Sequence, residues 1–238
     1  MKQSSPGSSE SSPKVVAVLP CFNTERFITD VVSRAKKHVN RVIVIDDGSQ
    51  DNTAEAAKAA GASVVSHGQN RGYGEALKSC FEAARTNSAD VLVILDGDGQ
   101  HNPDEIPALL SPIFKGEADL VIGSRFLSHE INIPRYREFG IGVITFLFNF
   151  GSRTRVSDSQ SGFRSYHRRL FADLFPRERG MSISIEILEK ARKRRFVIKE
   201  VPISCQYTSA TLNLKAIGHG LGVALAVIKI RLRSWWGK

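Results

Sequence analysis

Six short runs of apolar, largely β-branched residues punctuate the chain: VVAVL over 15–19, VIVID over 42–46, SVV over 63–65, VLVIL over 91–95, DLVIG over 119–123 and FVIKEVPI over 196–203. Most are apolar on consecutive positions instead of alternate ones, as expected of strands covered on both faces. Between them the period changes. Phe27, Ile28, Val31, Val32 and Ala35 share one helical face, and so do Ala76, Leu77, Cys80, Phe81 and Ala84. Strands alternating with helices predict an α/β fold with a mainly parallel sheet and helices on both faces. Functional residues should then gather at the carboxyl ends of the strands. Residues 15–210 read as one domain, with a ligand-binding half over 15–125 and a looser half over 126–210. Residues 1–14 lack the apolar region of a signal peptide and read as a disordered tail. Residues 211–238 read as an amphipathic segment at a membrane surface.

Composition sharpens this picture once charge is followed along the chain. The 238 residues carry a formal net charge of +9. Residues 1–124 hold 12 Lys and Arg against 16 Asp and Glu, a net of −4, whereas residues 125–238 hold 21 against 8, a net of +13. An acidic half joined to a basic half suggests cation binding in the first and anion binding in the second. The acidic half also argues against a nucleic-acid-binding module, because it repels a phosphate backbone unless a cation intervenes. Cys21, Cys80 and Cys205 are far apart and form no CxxC pair, so neither a disulfide framework nor a zinc site is implied. The longest apolar runs, 139–150 and 221–230, fall short of the roughly 20 residues a spanning helix needs. Segment 139–150, with Phe139, Phe146, Phe148 and Phe150, is either a buried helix or one lying in a membrane interface. The run Arg192-Lys193-Arg194-Arg195 is either a solvated helix end or a site of attraction to an anionic leaflet. Toward the end of the chain, Lys229, Arg231, Arg233 and Trp235-Trp236 follow an apolar stretch, the pattern of an in-plane anchor.

Candidate chemistry lies where the strands end. The first strand runs into Pro20-Cys21-Phe22-Asn23 with no glycine, which excludes a dinucleotide fingerprint, and no GxxxxGK[ST] phosphate loop occurs. The second runs into Asp46-Asp47-Gly48-Ser49. Helix capping accounts for Asp51 or Thr53 but needs no adjacent aspartates, and one carboxylate is placed to bond a base or ribose. The fourth runs into Asp96-Gly97-Asp98-Gly99-Gln100-His101. As a calcium loop it fails, with His101 at the sixth position where glycine is required and Pro107 at the twelfth where glutamate is required. Asn102, Pro103 and Glu105 begin a helix. Asp96 and Asp98 then stand at alternate positions beyond a strand, where two carboxylates can converge on a hard cation that takes its other ligands from water and phosphate. His38 and His67 read as surface or loop residues. His101 has either a supporting role at the metal pair or an ordinary loop role.

Taken in order, these segments resemble the family 2 glycosyltransferases of GT-A fold, and within them the dolichyl-phosphate mannose synthase and polyprenyl-phosphate glycosyltransferase branch. The matching stretches are the Pro-x-Phe-Asn segment, Asp-Asp-Gly-Ser, Asn70-Arg71-Gly72-Tyr73-Gly74, Asp96-Gly97-Asp98-Gly99-Gln100-His101, Gly123-Ser124-Arg125 and Asp158-Ser159-Gln160-Ser161-Gly162-Phe163-Arg164, from about residue 15 to 205. The resemblance implies that Pro20, Phe22, Glu25, Asp47, Gly74 and Asp96 serve the nucleotide. It gives Asp96, Asp98 and Gln100 to Mg²⁺ or Mn²⁺, Arg125 and Arg164 to phosphates, and Asp158 to the transfer site. One departure stands out: the family's usual Asn-Glu reads Asn23-Thr24 here, with Glu25 one place on, and leaves UDP and GDP both open.

The expected activity is therefore metal-dependent, inverting transfer of a hexose from a nucleotide sugar to a polyprenyl or dolichyl phosphate. The enzyme would be peripheral on the cytoplasmic face of an anionic membrane, with no nucleic-acid partner. Another lipid or a glycan is the alternative acceptor.

Overall fold

A computed structural model describes residues 12–128, 133–152, 154–174, 176–178 and 180–207, together with Val227 and Lys229. The first half alternates strictly: β1 (Val15–Cys21), α1 (Glu25–Ala35), β2 (Arg41–Asp46), α2 (Thr53–Ala59), β3 (Ser63–Ser66), α3 (Tyr73–Thr86), β4 (Val91–Ile94), α4 (Ile106–Phe114) and β5 (Leu120–Ser124). There follow α5 (Arg135–Asn149), β6 (Arg164–His167), α6 (Arg168–Asp173), α7 (Ile183–Lys193) and β7 (Ile198–Pro202). The seven strands form one sheet in the order β3-β2-β1-β4-β6-β5-β7. β6 alone runs antiparallel, paired with β4 and β5.

Alternate residues of each strand feed opposite layers, as the period-2 geometry of a strand requires. Val16, Val18, Ile43, Ile45, Leu92 and Ile94 pack with α3, α6 and α7 on one face. Val15, Ala17, Leu19, Val42, Val44, Val91 and Val93 pack with α1 and α4 on the other. Both faces are covered, which explains the unbroken apolar runs in the sequence.

Two features of this topology position a site. The chain leaves β1 for β2 on one side, whereas β4 joins β1 on the other, so a crevice opens between the loops that follow β1 and β4. The antiparallel β6 then brings its entry loop to that same edge, because Ile94 at the end of β4 and Ile122 in β5 both pair with Arg164 at the start of β6.

The apolar pattern does not reveal β6, whose sequence is RSYH. Its central position is nonetheless buried, Arg164 included. α5 is not the wholly buried helix that is one of the two expectations for this segment. It buries Ile144, Thr145 and Phe148 and leaves Phe139, Val143 and Phe146 exposed. No helix of the described residues is long and apolar enough to cross a membrane. The amphipathic segment expected over 211–238 lies outside the described residues apart from Val227 and Lys229, as do residues 1–11 of the tail expected over 1–14, while Lys14 at its end donates from its main-chain N–H to Asp90 Oδ2 at 2.8 Å.

Candidate active site

Three groups of side chains meet at the carboxyl edge of the sheet. The first follows β4. Gly97 and Gly99 let this connection lie flat on the molecule: a Cβ on Gly97 would sit 2.3 Å from Cys21 Sγ, and Gly99 adopts a φ of +75° against the Phe27 ring. Gly162, from the loop entering β6, closes over the far side, where a Cβ would come within 2.5 Å of Asp96 Oδ2. Asp98 is held from its own loop, accepting from the Gln100 main-chain N–H at 3.0 Å and from Gln100 Nε2 at 2.5 Å. In this structure Gln100 therefore steadies Asp98.

Burial raises the Asp96 carboxyl above the usual carboxylate range, and the neighbouring Asp98 adds to the effect while Arg125 and Arg164 oppose it. Asp98 is raised as well, by burial, against the hydrogen bonds from Gln100. Two partly buried carboxylates at alternate positions, Asp96 with 30% of its side chain exposed, are each made costlier to ionise, and a hard dication would offset that cost. No group of three His, Cys, Asp or Glu that could hold an ion occurs among the described residues. The donor set therefore fits Mg²⁺ or Mn²⁺, which complete their shells with water and ligand oxygens. His101 stands beside the pair, its Nε2 3.8 Å from Asp96 Oδ2, too far for a hydrogen bond. Burial first and Arg125 second pull its pKa down to about 3, so the ring is neutral.

The second group faces the carboxylates. Arg125, immediately after β5, pairs with Asp158 in a two-pronged contact, Nε to Oδ2 at 2.7 Å and Nη2 to Oδ1 at 2.8 Å. Burial lowers the guanidinium pKa, but the Asp158 charge outweighs it and leaves the net shift upward. Asp158 is fully buried and moves the opposite way, below the usual range, because Arg125 overcomes the cost of desolvation. The remaining Arg125 nitrogen donates to Tyr207 Oη at 2.9 Å, and the Arg137 guanidinium lies 5.4 Å from the centre of the Tyr207 ring. Arg137 in turn lowers the Asp98 carboxyl, so a line of cations runs from Asp158 back to the acidic pair. Arg164 is buried, its Nη1 and Nη2 donating to the carbonyls of Ser184 and Ser159 at 3.1 and 2.8 Å, and its charge reaches the site through Asp96.

The third group lies beyond β1 and β2. Pro20 is buried within β1, and Phe22 is exposed at the mouth. Glu25 accepts from Asn52 N and Asn52 Nδ2 at 3.1 and 2.9 Å, which ties the start of α1 to the start of α2. Asp47 is buried, and its carboxylate accepts from His67 Nδ1 at 2.6 Å, Arg71 N at 3.0 Å and Gly72 N at 2.8 Å. Gly74 is buried in the first turn of α3.

Sequence reasoning missed Glu200, Tyr207 and Arg137. Glu200, on β7, accepts from Ser157 N at 2.7 Å, Ser157 Oγ at 3.0 Å and Asp158 N at 3.0 Å, and so fixes the main chain that presents Asp158. The one available sign was an acidic residue inside the run FVIKEVPI. His67, read as a surface or loop residue, has a nearly buried side chain.

Residues 16–175 match the model of the family described as Glycosyl transferase family 2. A UDP-N-acetylglucosamine--dolichyl-phosphate N-acetylglucosaminyltransferase of Methanococcus voltae is 30% identical over 223 residues, covering 83% of this chain and 88% of that one. A dolichyl-phosphate hexose transferase of Haloferax volcanii is 27% identical over 222 residues, covering 92% and 95%. In fold, the chain superposes on glucosyl-3-phosphoglycerate synthase of Mycobacterium tuberculosis, solved with Mn²⁺, UDP-glucose and phosphoglyceric acid. There the TM-score is 0.75 at 24% identity, covering 95% of this chain and 85% of that one.

Proposed function

The chain belongs to glycosyl transferase family 2 and is a glycosyltransferase of GT-A fold, and we propose that it moves a hexose from UDP or GDP to a polyprenyl or dolichyl phosphate at the cytoplasmic face of a membrane. The observation that carries this reading is the placement of two partly buried carboxylates, Asp96 and Asp98, within electrostatic reach of Arg125, Arg164 and Arg137. The dolichyl phosphate named for two relatives supports the acceptor.

Asp96 and Asp98 would hold Mg²⁺ or Mn²⁺, with Gln100 setting the orientation of Asp98. A bound dication supplies Lewis-acid stabilisation of the departing nucleoside diphosphate. Phe22, exposed beyond Pro20, offers an aromatic face to the base, and Asp47, Glu25 and Gly74 shape the floor beneath it. Across the crevice, Arg125 presents a fork already oriented by Asp158, and the Arg164 charge offsets that of Asp96. A phosphate monoester with a second pKa of roughly 6 is largely dianionic near neutral pH. The acceptor therefore needs holding more than deprotonation, and Asp158 acts through Arg125 instead of as a base. An acceptor on the far side of the sugar from the leaving diphosphate attacks in line and inverts the anomeric centre.

The test offers radiolabelled UDP- and GDP-sugars with polyprenyl phosphate in Mn²⁺ and extracts the lipid. Label should enter the lipid with inverted configuration, and Asp98→Asn should lower the rate by roughly a hundredfold or more. Turnover that survives thorough chelation, or a retained configuration, would sink the reading.

A further inference from the structure

His67 leaves β3 at the same sheet edge and bridges two elements. Its Nδ1 lies 2.6 Å from Asp47 Oδ1 and its Nε2 lies 2.8 Å from Ser79 Oγ on α3, with only 5% of the side chain exposed. An ionised carboxylate can only accept, so Nδ1 donates to Asp47, and Nε2 shares a hydrogen bond with the serine hydroxyl. Asp-His-Ser in this order is also the arrangement of a hydrolytic triad, but Ser79 lies within α3, where the main-chain N–H groups are used by the helix and no pair is left to receive an oxyanion. The relay is built to hold something. Asp47 passes the hold to Arg71 N and Gly72 N. Gly48 adds to it with a φ of +74° and with Gln69 and Asn70 main-chain atoms 2.3 to 2.6 Å from where its Cβ would stand. The next residue, Tyr73, opens α3 and packs against the core, close enough to Asp96 and Arg164 for both to act on its phenol.

We propose that His67 is a positioning residue of the donor site: through Asp47 it fixes the 67–72 loop and, through Gly72, the start of α3 at Tyr73. This rests on the glycosyl-transfer reading for what the loop faces. The nucleotide then meets loop main chain, and Asp47, which already accepts from three donors, acts through that loop.

The experiment compares wild type with His67→Ala, His67→Asn and His67→Gln by amide exchange at Arg71 and Gly72 and by titration with UDP and GDP in Mn²⁺. Asparagine can replace the Nδ1 donor, whereas glutamine reaches toward the Nε2 position. His67→Ala should speed exchange at both amides and weaken nucleotide binding, each by roughly tenfold, from the loss of a charge-assisted hydrogen bond. His67→Asn should recover most of both effects and His67→Gln little. A lower melting temperature with unchanged exchange and unchanged nucleotide Kd in all three variants would overturn the assignment. Wild-type protein that takes up neither UDP nor GDP would instead overturn the glycosyl-transfer reading, while the exchange rates would still show whether His67 holds the loop.

Discussion

At the scale of single residues, the site depends on close approach as much as on acidity. Asp96 has its place because Gly162 has no side chain: any Cβ there would press on the carboxylate at 2.5 Å. Gly162→Ala should therefore misplace one member of the acidic pair while leaving both acids in the chain. A misplacement on the order of 1 Å can cost about a hundredfold in rate. The expected outcome is loss of Mn²⁺ binding by calorimetry and a comparable loss of turnover, with wild-type far-UV circular dichroism. Wild-type Mn²⁺ affinity in this variant would show that the Gly162 contact does not shape the pair. Arg125 and Asp158 illustrate the same economy of placement. Each is displaced in the direction that favours its charged form, and the two-pronged contact fixes the orientation of the guanidinium plane.

Among the elements, β7 and α5 carry roles that their own sequences barely advertise. β7 adds more than an edge strand, since Glu200 receives two main-chain N–H groups and one hydroxyl from residues 157 and 158. Glu200→Ala leaves these donors without their carboxylate and should cost about 2 kcal/mol, read as a lower denaturation midpoint, whereas Ser157→Ala should cost about half as much. Equal stability of Glu200→Ala and wild type would exclude the clamp. α5 turns Ile144 and Phe148 inward and leaves Phe139 75% and Phe146 66% exposed, with Phe150 at its end 60% exposed. Positions 139, 143, 146 and 150 recur at helical spacing, so they form one apolar stripe facing outward. The membrane contact proposed for the enzyme assigns this stripe to the acyl boundary of a bilayer. Burying a Phe there is worth roughly 1.5–3 kcal/mol. Phe139→Ser combined with Phe146→Ser should thus reduce flotation with anionic liposomes by more than tenfold. Its melting temperature should stay within about two degrees of wild type, because no core contact is lost. Undiminished flotation would remove α5 from the membrane contact.

For the molecule as a whole, the parallel half was legible in the sequence because β1, β2, β4 and β5 are buried on both faces, and the turns after β1, β2 and β4 each carry their own signature. The second half was less legible. β6 reads as RSYH, and only its insertion between β4 and β5 makes a buried arginine tolerable, with main-chain carbonyls from distant residues as its partners. The acidic pair could be named from spacing alone. The partner that fixes the Asp158 main chain comes from β7, 42 positions away in sequence, and the Tyr207 hydroxyl that receives Arg125 lies 82 positions from it, and no local pattern encodes either. The division of charge survives this asymmetry and leads to a last prediction. Residues 125–238 carry a net charge of +13, whereas the acidic pair belongs to a half with a net of −4. If the basic half meets an anionic leaflet, that attraction acts through water and is screened over roughly 10 Å at 0.1 M salt, with each nearby cation worth about 1 kcal/mol. A cation held by Asp96 and Asp98 would be engaged at contact distance and screened much less. Raising salt from about 0.05 M to about 0.5 M should therefore release the protein from anionic vesicles by at least roughly tenfold while Mn²⁺-dependent nucleotide affinity changes less than about threefold. Binding to neutral vesicles as tight as to anionic ones would mean that the apolar stripe works alone, and that the basic half serves only the phosphates at the site.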